Sequence, residues 1–171
     1  MLLDLFINNK ITAFQTESLT PFIIFITEII SPIKLLFLSF LLLAFLAYKK
    51  RYQDIFFVSI AIIGAVVLEL LIKALAQRAR PENALIETST YSFPSGHATL
   101  AIVFFSLLIY LFGKNIKNTF IRWSFIAGNI FLILLIGYTR IYLNAHWFTD
   151  VIAGFALGLL WFSFVIILWK K

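Results

Sequence analysis

Residues 55–76, IFFVSIAIIGAVVLELLIKALA, decide the fold. From Ile55 to Leu68 the run carries no charge and no proline, and its apolar residues follow one another without alternation. A continuous apolar run of some 20 residues makes about 30 Å of helix, the thickness of a bilayer's hydrocarbon core, whereas a spanning strand alternates with period two. The run therefore predicts a transmembrane helix. Its last turns hold Glu69 and Lys73, and ionisable groups at membrane depth are costly enough to point to a function.

Four comparable runs flank it, approximately Ile33 to Tyr48, Ser95 to Phe112, Thr119 to Tyr138 and Val151 to Trp169. Over 171 residues the chain is 62% hydrophobic, 18% aromatic and 13% charged. A soluble domain is about 45–50% apolar and about 25% charged, so a chain this short cannot hide such a surface from water. The expected fold is an all-α integral membrane bundle of about five transmembrane helices over 33–169, within a single domain of residues 1–171. Without cysteine, a disulfide scaffold and a cysteine-type zinc module are excluded, and the composition excludes a disordered tail and a soluble DNA-binding protein. No nucleic-acid partner is expected.

The first 31 residues read as interfacial helices. Leu3, Ile7, Ile11 and Phe14 recur at helical spacing, while Asp4, Asn8, Lys10, Gln15 and Glu17 occupy the other faces. The stretch lacks the basic start and small-residue cleavage site of a signal peptide. Leu19 to Ile30 is apolar but short, is interrupted by Glu28 and is closed by Pro32; it reads as an interfacial or re-entrant helix, with a shallow sixth span as the alternative. Gly154 and Gly158 form a GxxxG that serves either packing inside the bundle or a dimer contact. Asn129 reads as a hydrogen-bonding bridge between helices.

The formal charge is +6. Lys49, Lys50, Arg51, Lys114, Lys117, Arg122, Lys170 and Lys171 fall on one side if the spans alternate, and the positive-inside rule makes that side cytoplasmic. Trp123, Trp147 and Trp169 fall at span ends, as the interfacial aromatic belt requires. Lys73, Arg78, Arg80 and Arg140 gather at the opposite ends, against the rule, so another demand places them there.

That demand is chemical. Lys73 and Arg80 are two helical turns apart, which puts both on one side of the second span if the helix persists towards Pro81. Pro94-Ser95-Gly96-His97 opens the third span, and a helix N-terminus preceded by proline and containing glycine is a ready anion site. Thr139-Arg140, His146 and Asp150 bracket the loop before the fifth span, and helical spacing allows Asp150 to reach His146 and set its tautomer. One helix out and one back bring the second and third groups to one face, and the twelve residues between Pro81 and Pro94 tie the first to them. Three cations, a helix N-terminus, two histidines and a carboxylate in one pocket suit a phosphate group with a nucleophile and a proton donor. Glu69, one turn before Lys73, reads as its partner or orienting group, and Arg78 as a residue that snorkels to head groups or touches the substrate's head group.

These residues carry a resemblance. Lys73-ALAQRA-Arg80-Pro81, Pro94-Ser95-Gly96-His97 and Thr139-Arg140-IYLNA-His146-WFT-Asp150 are similar to the KxxxxxxRP, PSGH and SRxxxxxHxxxD motifs of the type 2 phosphatidic acid phosphatase superfamily. Ten positions agree in order and spacing, with Thr139 where the family usually has serine. The resemblance implies a lipid phosphatase that uses neither metal nor cofactor, with His146 as the nucleophile forming a phosphohistidine, Asp150 holding its other nitrogen, and His97 as the acid and then the base. It implies that Lys73, Arg80, Ser95, Gly96 and Arg140 bind the phosphate. The implied setting is a bacterial inner membrane with the site facing the periplasm, and the implied substrates are lipid A 1-phosphate, phosphatidylglycerophosphate, undecaprenyl pyrophosphate and phosphatidate. A membrane transporter, a non-catalytic anionic-lipid-binding protein and a vanadate-binding haloperoxidase relative are the competing classes.

Overall fold

The computed structural model describes residues 2–87 and 90–169, and every regular element among them is a helix. In chain order these are α1 (Leu2–Thr12), α2 (Leu19–Ile29), α3 (Pro32–Tyr48), α4 (Tyr52–Ala76), α5 (Gly96–Phe112), α6 (Thr119–Tyr142) and α7 (Phe148–Trp169), with one turn of 3-10 helix at Gly113–Asn115. Five helical stretches are long and apolar enough to cross a membrane: Leu19–Tyr48, Tyr52–Ala76, Gly96–Asn115, Thr119–Tyr142 and Phe148–Trp169. Lys170 and Lys171, counted above for orientation, lie outside the described residues.

Local chemistry sets the boundaries. Pro32 opens α3 behind Ser31, whose backbone is extended. Asn118 caps α6 by accepting the Ile121 N–H at 3.1 Å. Gln77 closes α4 in the left-handed region (φ 43°), its N–H donating to the Lys73 carbonyl at 3.1 Å. Arg80 therefore lies on a loop rather than two turns along the same helix as Lys73. α6 continues through Tyr142, a turn beyond the expected end, and carries Thr139 and Arg140 into the protein, where both are buried.

With 11 residues, α2 is too short to cross a bilayer alone at about 1.5 Å per residue, and the chain breaks at Ile30 and Ser31 before α3. α2 packs on α6, whereas α3 packs on α4 and α5. Leu19–Tyr48 is thus one broken candidate span and adds no sixth. α1 packs against α6 and α7 with its polar side: Asp4 and Asn8 are buried, while Leu2, Leu3 and Phe6 point outwards. The expected apolar stripe is divided, with Leu3 and Phe14 exposed and Ile11 packed inwards, and the polar Asp4 and Asn8 face protein.

α5 is the axis of the bundle and touches α3, α4, α6 and α7. Ala98, Ala101, Val103 and Leu107 on it are fully buried, while Phe56, Ile63, Phe131 and Leu160 on the surrounding helices are exposed, as lipid-facing positions are. The GxxxG is used inside the bundle. A Cβ on Gly154 would lie 2.6 Å from the Ser95 carbonyl oxygen, and one on Gly158 would lie 2.7 Å from that of Thr99. This close approach lays the start of α7 beside the start of α5. At the other end, the Phe57 ring packs 5.1 Å from Tyr110 and 5.5 Å from Trp169. Asn129 donates to the Phe125 carbonyl of its own helix at 2.7 Å, so the observed bond is not a bridge between helices.

Candidate active site

The bundle brings the C-terminal ends of α4 and α6 together with the N-terminal ends of α5 and α7. Between them lies a cavity of about 570 Å³ that includes Lys73, Arg80, Gly96, His97, Arg140 and His146 in its wall. Ile33, Leu36, Val66 and Leu70 form an apolar side, reached across the α2–α3 break. Polar and apolar halves thus meet in one chamber.

His146 is held by two neighbours. Its Nδ1 lies 2.7 Å from the Ser92 carbonyl oxygen, so Nδ1 carries the proton and Nε2 keeps its lone pair, 3.2 Å from Arg80 Nη1. Burial first, then the Arg80 and Arg140 charges, push the imidazole down to about 4 against the opposing effect of Asp150. The ring is neutral at pH 7. Asp150 does not grip Nδ1 as expected. Its Oδ2 is 3.7 Å away because His146 precedes α7 while Asp150 lies in its first turn, and the carboxylate is taken up by the Ser92 hydroxyl, the Trp147 N–H at 2.9 Å and Arg78 Nη1 at 2.6 Å.

The cations are positioned by different means. Arg80 Nε donates to the Thr90 carbonyl at 2.6 Å and Nη1 to that of Ala145 at 2.6 Å, which aims the fork at His146. Burial pulls the Arg80 guanidinium below its ordinary value, with Asp150 and Glu69 opposing. Arg140 donates through Nη1 to Thr27 at 2.9 Å, and its Nε is buried without a hydrogen-bond partner. Lys73 Nζ pairs with Glu69 Oε1 at 2.5 Å, as its spacing predicts. Glu69 also lies against the start of α5, where a Cβ on Gly96 would come within 2.9 Å of Oε1.

Several sequence-derived residues lie elsewhere. Ser95 is fully buried outside the cavity lining, its Oγ unpartnered. Thr139 gives its hydroxyl to the Ile136 carbonyl at 2.7 Å and to Thr27, and the residue is not part of the cavity wall. Arg78 joins Asp4 at 2.7 Å and Asp150 and stacks 5.7 Å over the Trp147 ring, rather than entering the cavity. Ser92, Thr27, Asp4 and Asn8 are site partners that no sequence motif marks. Only Asp4 and Asn8, one turn apart on a helix with apolar neighbours, left a signal, and it pointed equally well to water.

The sequence profile of the PAP2 superfamily matches residues 54–171, which takes in all three motifs. The chain belongs to the PAP2 superfamily. It is 34% identical over 102 residues to phosphatidylglycerophosphatase B of Bacillus subtilis, covering 58% of this chain and 50% of that one. It is 32% identical over 150 residues to lipid A 4'-phosphatase of Porphyromonas gingivalis, covering 75% and 58%. The chain thus spans between half and three fifths of these curated relatives. The crystal structure of the transmembrane PAP2 type phosphatidylglycerolphosphate phosphatase from Bacillus subtilis superposes with a TM-score of 0.88 at 27% identity, covering 99% of this chain and 85% of that one. A PAP2 membrane bundle is therefore the fold, and it accounts for chemistry gathering at one end.

Proposed function

We propose that the protein is a membrane lipid phosphate phosphatase working through a phosphohistidine on His146. The observation that carries this reading is the orientation of one ring: with Nδ1 given to the Ser92 carbonyl, the Nε2 lone pair lies in a cavity that also holds Lys73, Arg80 and Arg140. Nε2 attacks phosphorus, the bond from phosphorus to the lipid oxygen breaks, and His97 gives that oxygen its proton. Water then attacks the phosphohistidine as His97 takes a proton back, and inorganic phosphate leaves with His146 restored. The cations stabilise charge on the phosphoryl oxygens throughout. The residues supply both nucleophile and proton donor, so no cofactor is required by these steps.

The apolar wall of Ile33, Leu36, Val66 and Leu70 suits an acyl or prenyl tail that stays in the bilayer while its phosphate enters the polar half. The substrate is accordingly a lipid phosphomonoester or pyrophosphate: lipid A 1-phosphate, phosphatidylglycerophosphate, undecaprenyl pyrophosphate or phosphatidate. The test is phosphate release by purified protein on these four lipids in mixed micelles with EDTA, comparing wild type with His146→Ala. Release that depends on His146, survives chelation and is inhibited by vanadate is the expected result. Silence across the panel from folded protein would favour binding or transport.

A further inference from the structure

α7 begins with amides that its own helix cannot satisfy, and the residue before it, Trp147, has no side-chain acceptor to cap them. The acceptors come from the other end of the chain. Asn8 Oδ1 accepts the Phe148 N–H at 3.1 Å, and Asp4 Oδ1 accepts the Thr149 N–H at 2.8 Å. Asn8 Nδ2 donates to the His146 carbonyl at 3.0 Å and to Asn144 Oδ1 at 3.2 Å. Four of the six residues from 144 to 149 are thus gripped by one face of α1.

Arg78 extends the grip to the carboxylate beside the nucleophile. Its Nη2 donates to Asp4 Oδ2 at 2.7 Å, while Nη1 donates to Asp150 Oδ1 at 2.6 Å and to Thr149 Oγ1 at 2.7 Å. Burial raises the Asp4 carboxyl, but the Thr149 N–H and the Arg78 guanidinium outweigh it and hold the group below the ordinary range. Ile11 is the apolar contribution of α1 to the neighbouring buried clusters, while Leu2, Leu3 and Phe6 face away. The contact of α1 with the rest of the molecule is thus largely its contact with the His146 loop and the start of α7.

We propose that α1 is a clamp on the nucleophile loop, in which Asp4 and Asn8 are positioning residues that cap α7 from outside and, through Arg78, hold Asp150 beside His146. The inference rests on His146 being the nucleophile. Misplacing a reacting group by about 1 Å can cost roughly 100-fold in rate, so a loop held from α1 needs that helix for turnover although α1 supplies no residue to the cavity wall.

Two measurements on the full-length protein in detergent test the clamp. Amide hydrogen exchange at Phe148 and Thr149 is expected to accelerate by about tenfold or more in Asp4→Ala and Asn8→Ala, since each loses its acceptor. Unchanged protection overturns the proposal. Asp4→Asn keeps an acceptor for Thr149 but removes the carboxylate charge that faces Arg78; it is expected to keep protection at Thr149 while kcat on the lipid panel falls about tenfold, with KM within about twofold. Wild-type kcat in Asp4→Asn would reduce Asp4 to a helix cap and overturn its action through Arg78. The double variant Asp4→Asn with Arg78→Gln is expected to be no slower than Arg78→Gln alone, and multiplied losses would overturn the shared route. If wild type releases no phosphate from any lipid, the phosphatase reading fails and the exchange measurement still decides the clamp.

Discussion

At the scale of single residues, the site turns on how much positive charge surrounds a neutral imidazole. His146 is pushed down to about 4, so its unfolded value near 6.5 is not the one that governs attack. The neutral form persists as pH falls from 7 to about 4 and is lost below that. The acid limb of kcat/KM, which reports the free enzyme, is expected near pH 4, and a limb near 6.5 would mean that the ring is solvated. Sign follows the same way for stability: the unfolded chain binds a proton at this site between about pH 6.5 and 4 while the folded one does not, so this group makes folding less favourable as pH falls through that window. Arg80 is the second test. Its donors are spread over the Thr90, Tyr91 and Ala145 carbonyls and His146, a fork that an ammonium cannot reproduce. Arg80→Lys is expected to lower kcat/KM by about 10- to 100-fold, corresponding to one or two lost charged hydrogen bonds. An unchanged value would remove Arg80 from the phosphate site.

At the scale of elements, the contact of α7 with α5 sets the geometry. Gly154 faces the Ser95 carbonyl oxygen, and Asp150, one turn earlier on α7, accepts the Ser95 N–H through its own carbonyl at 3.0 Å. Backbone atoms cannot turn aside as a flexible side chain does. Gly154→Val is expected to cost about 1–3 kcal/mol and to separate the starts of the two helices. A lower apparent melting temperature in detergent, together with lost phosphate release, is the outcome to look for; wild-type values for both would show that the contact tolerates a side chain. The five spans were legible from long apolar runs. The closure of α4 at Gln77 was not, because a left-handed cap on glutamine has no compositional mark.

At the scale of the molecule, the basic clusters of the α3–α4 and α5–α6 connections lie at one end of the bundle and the cavity at the other. If the positive-inside rule governs, the cavity opens outwards. The chain has no cysteine, so Glu87→Cys on the cavity side gives a single label site. In right-side-out vesicles it is expected to react with a membrane-impermeant maleimide, and labelling only after lysis would reverse the orientation.

The amino-acid sequence by itself determined the membrane class, the number of spans and the end of the bundle at which the motifs gather, because long apolar runs and ionisable groups at span ends are linear signals. The partner of each group was decided only by tertiary structure. His146 Nδ1 takes the Ser92 carbonyl in place of Asp150, Thr139 lies outside the cavity wall, and Asp4 and Asn8 face protein where water was expected. A polar helical face is equally satisfied by solvent or by the orphan amides at the start of another helix, and only the fold determines which of the two lies opposite it.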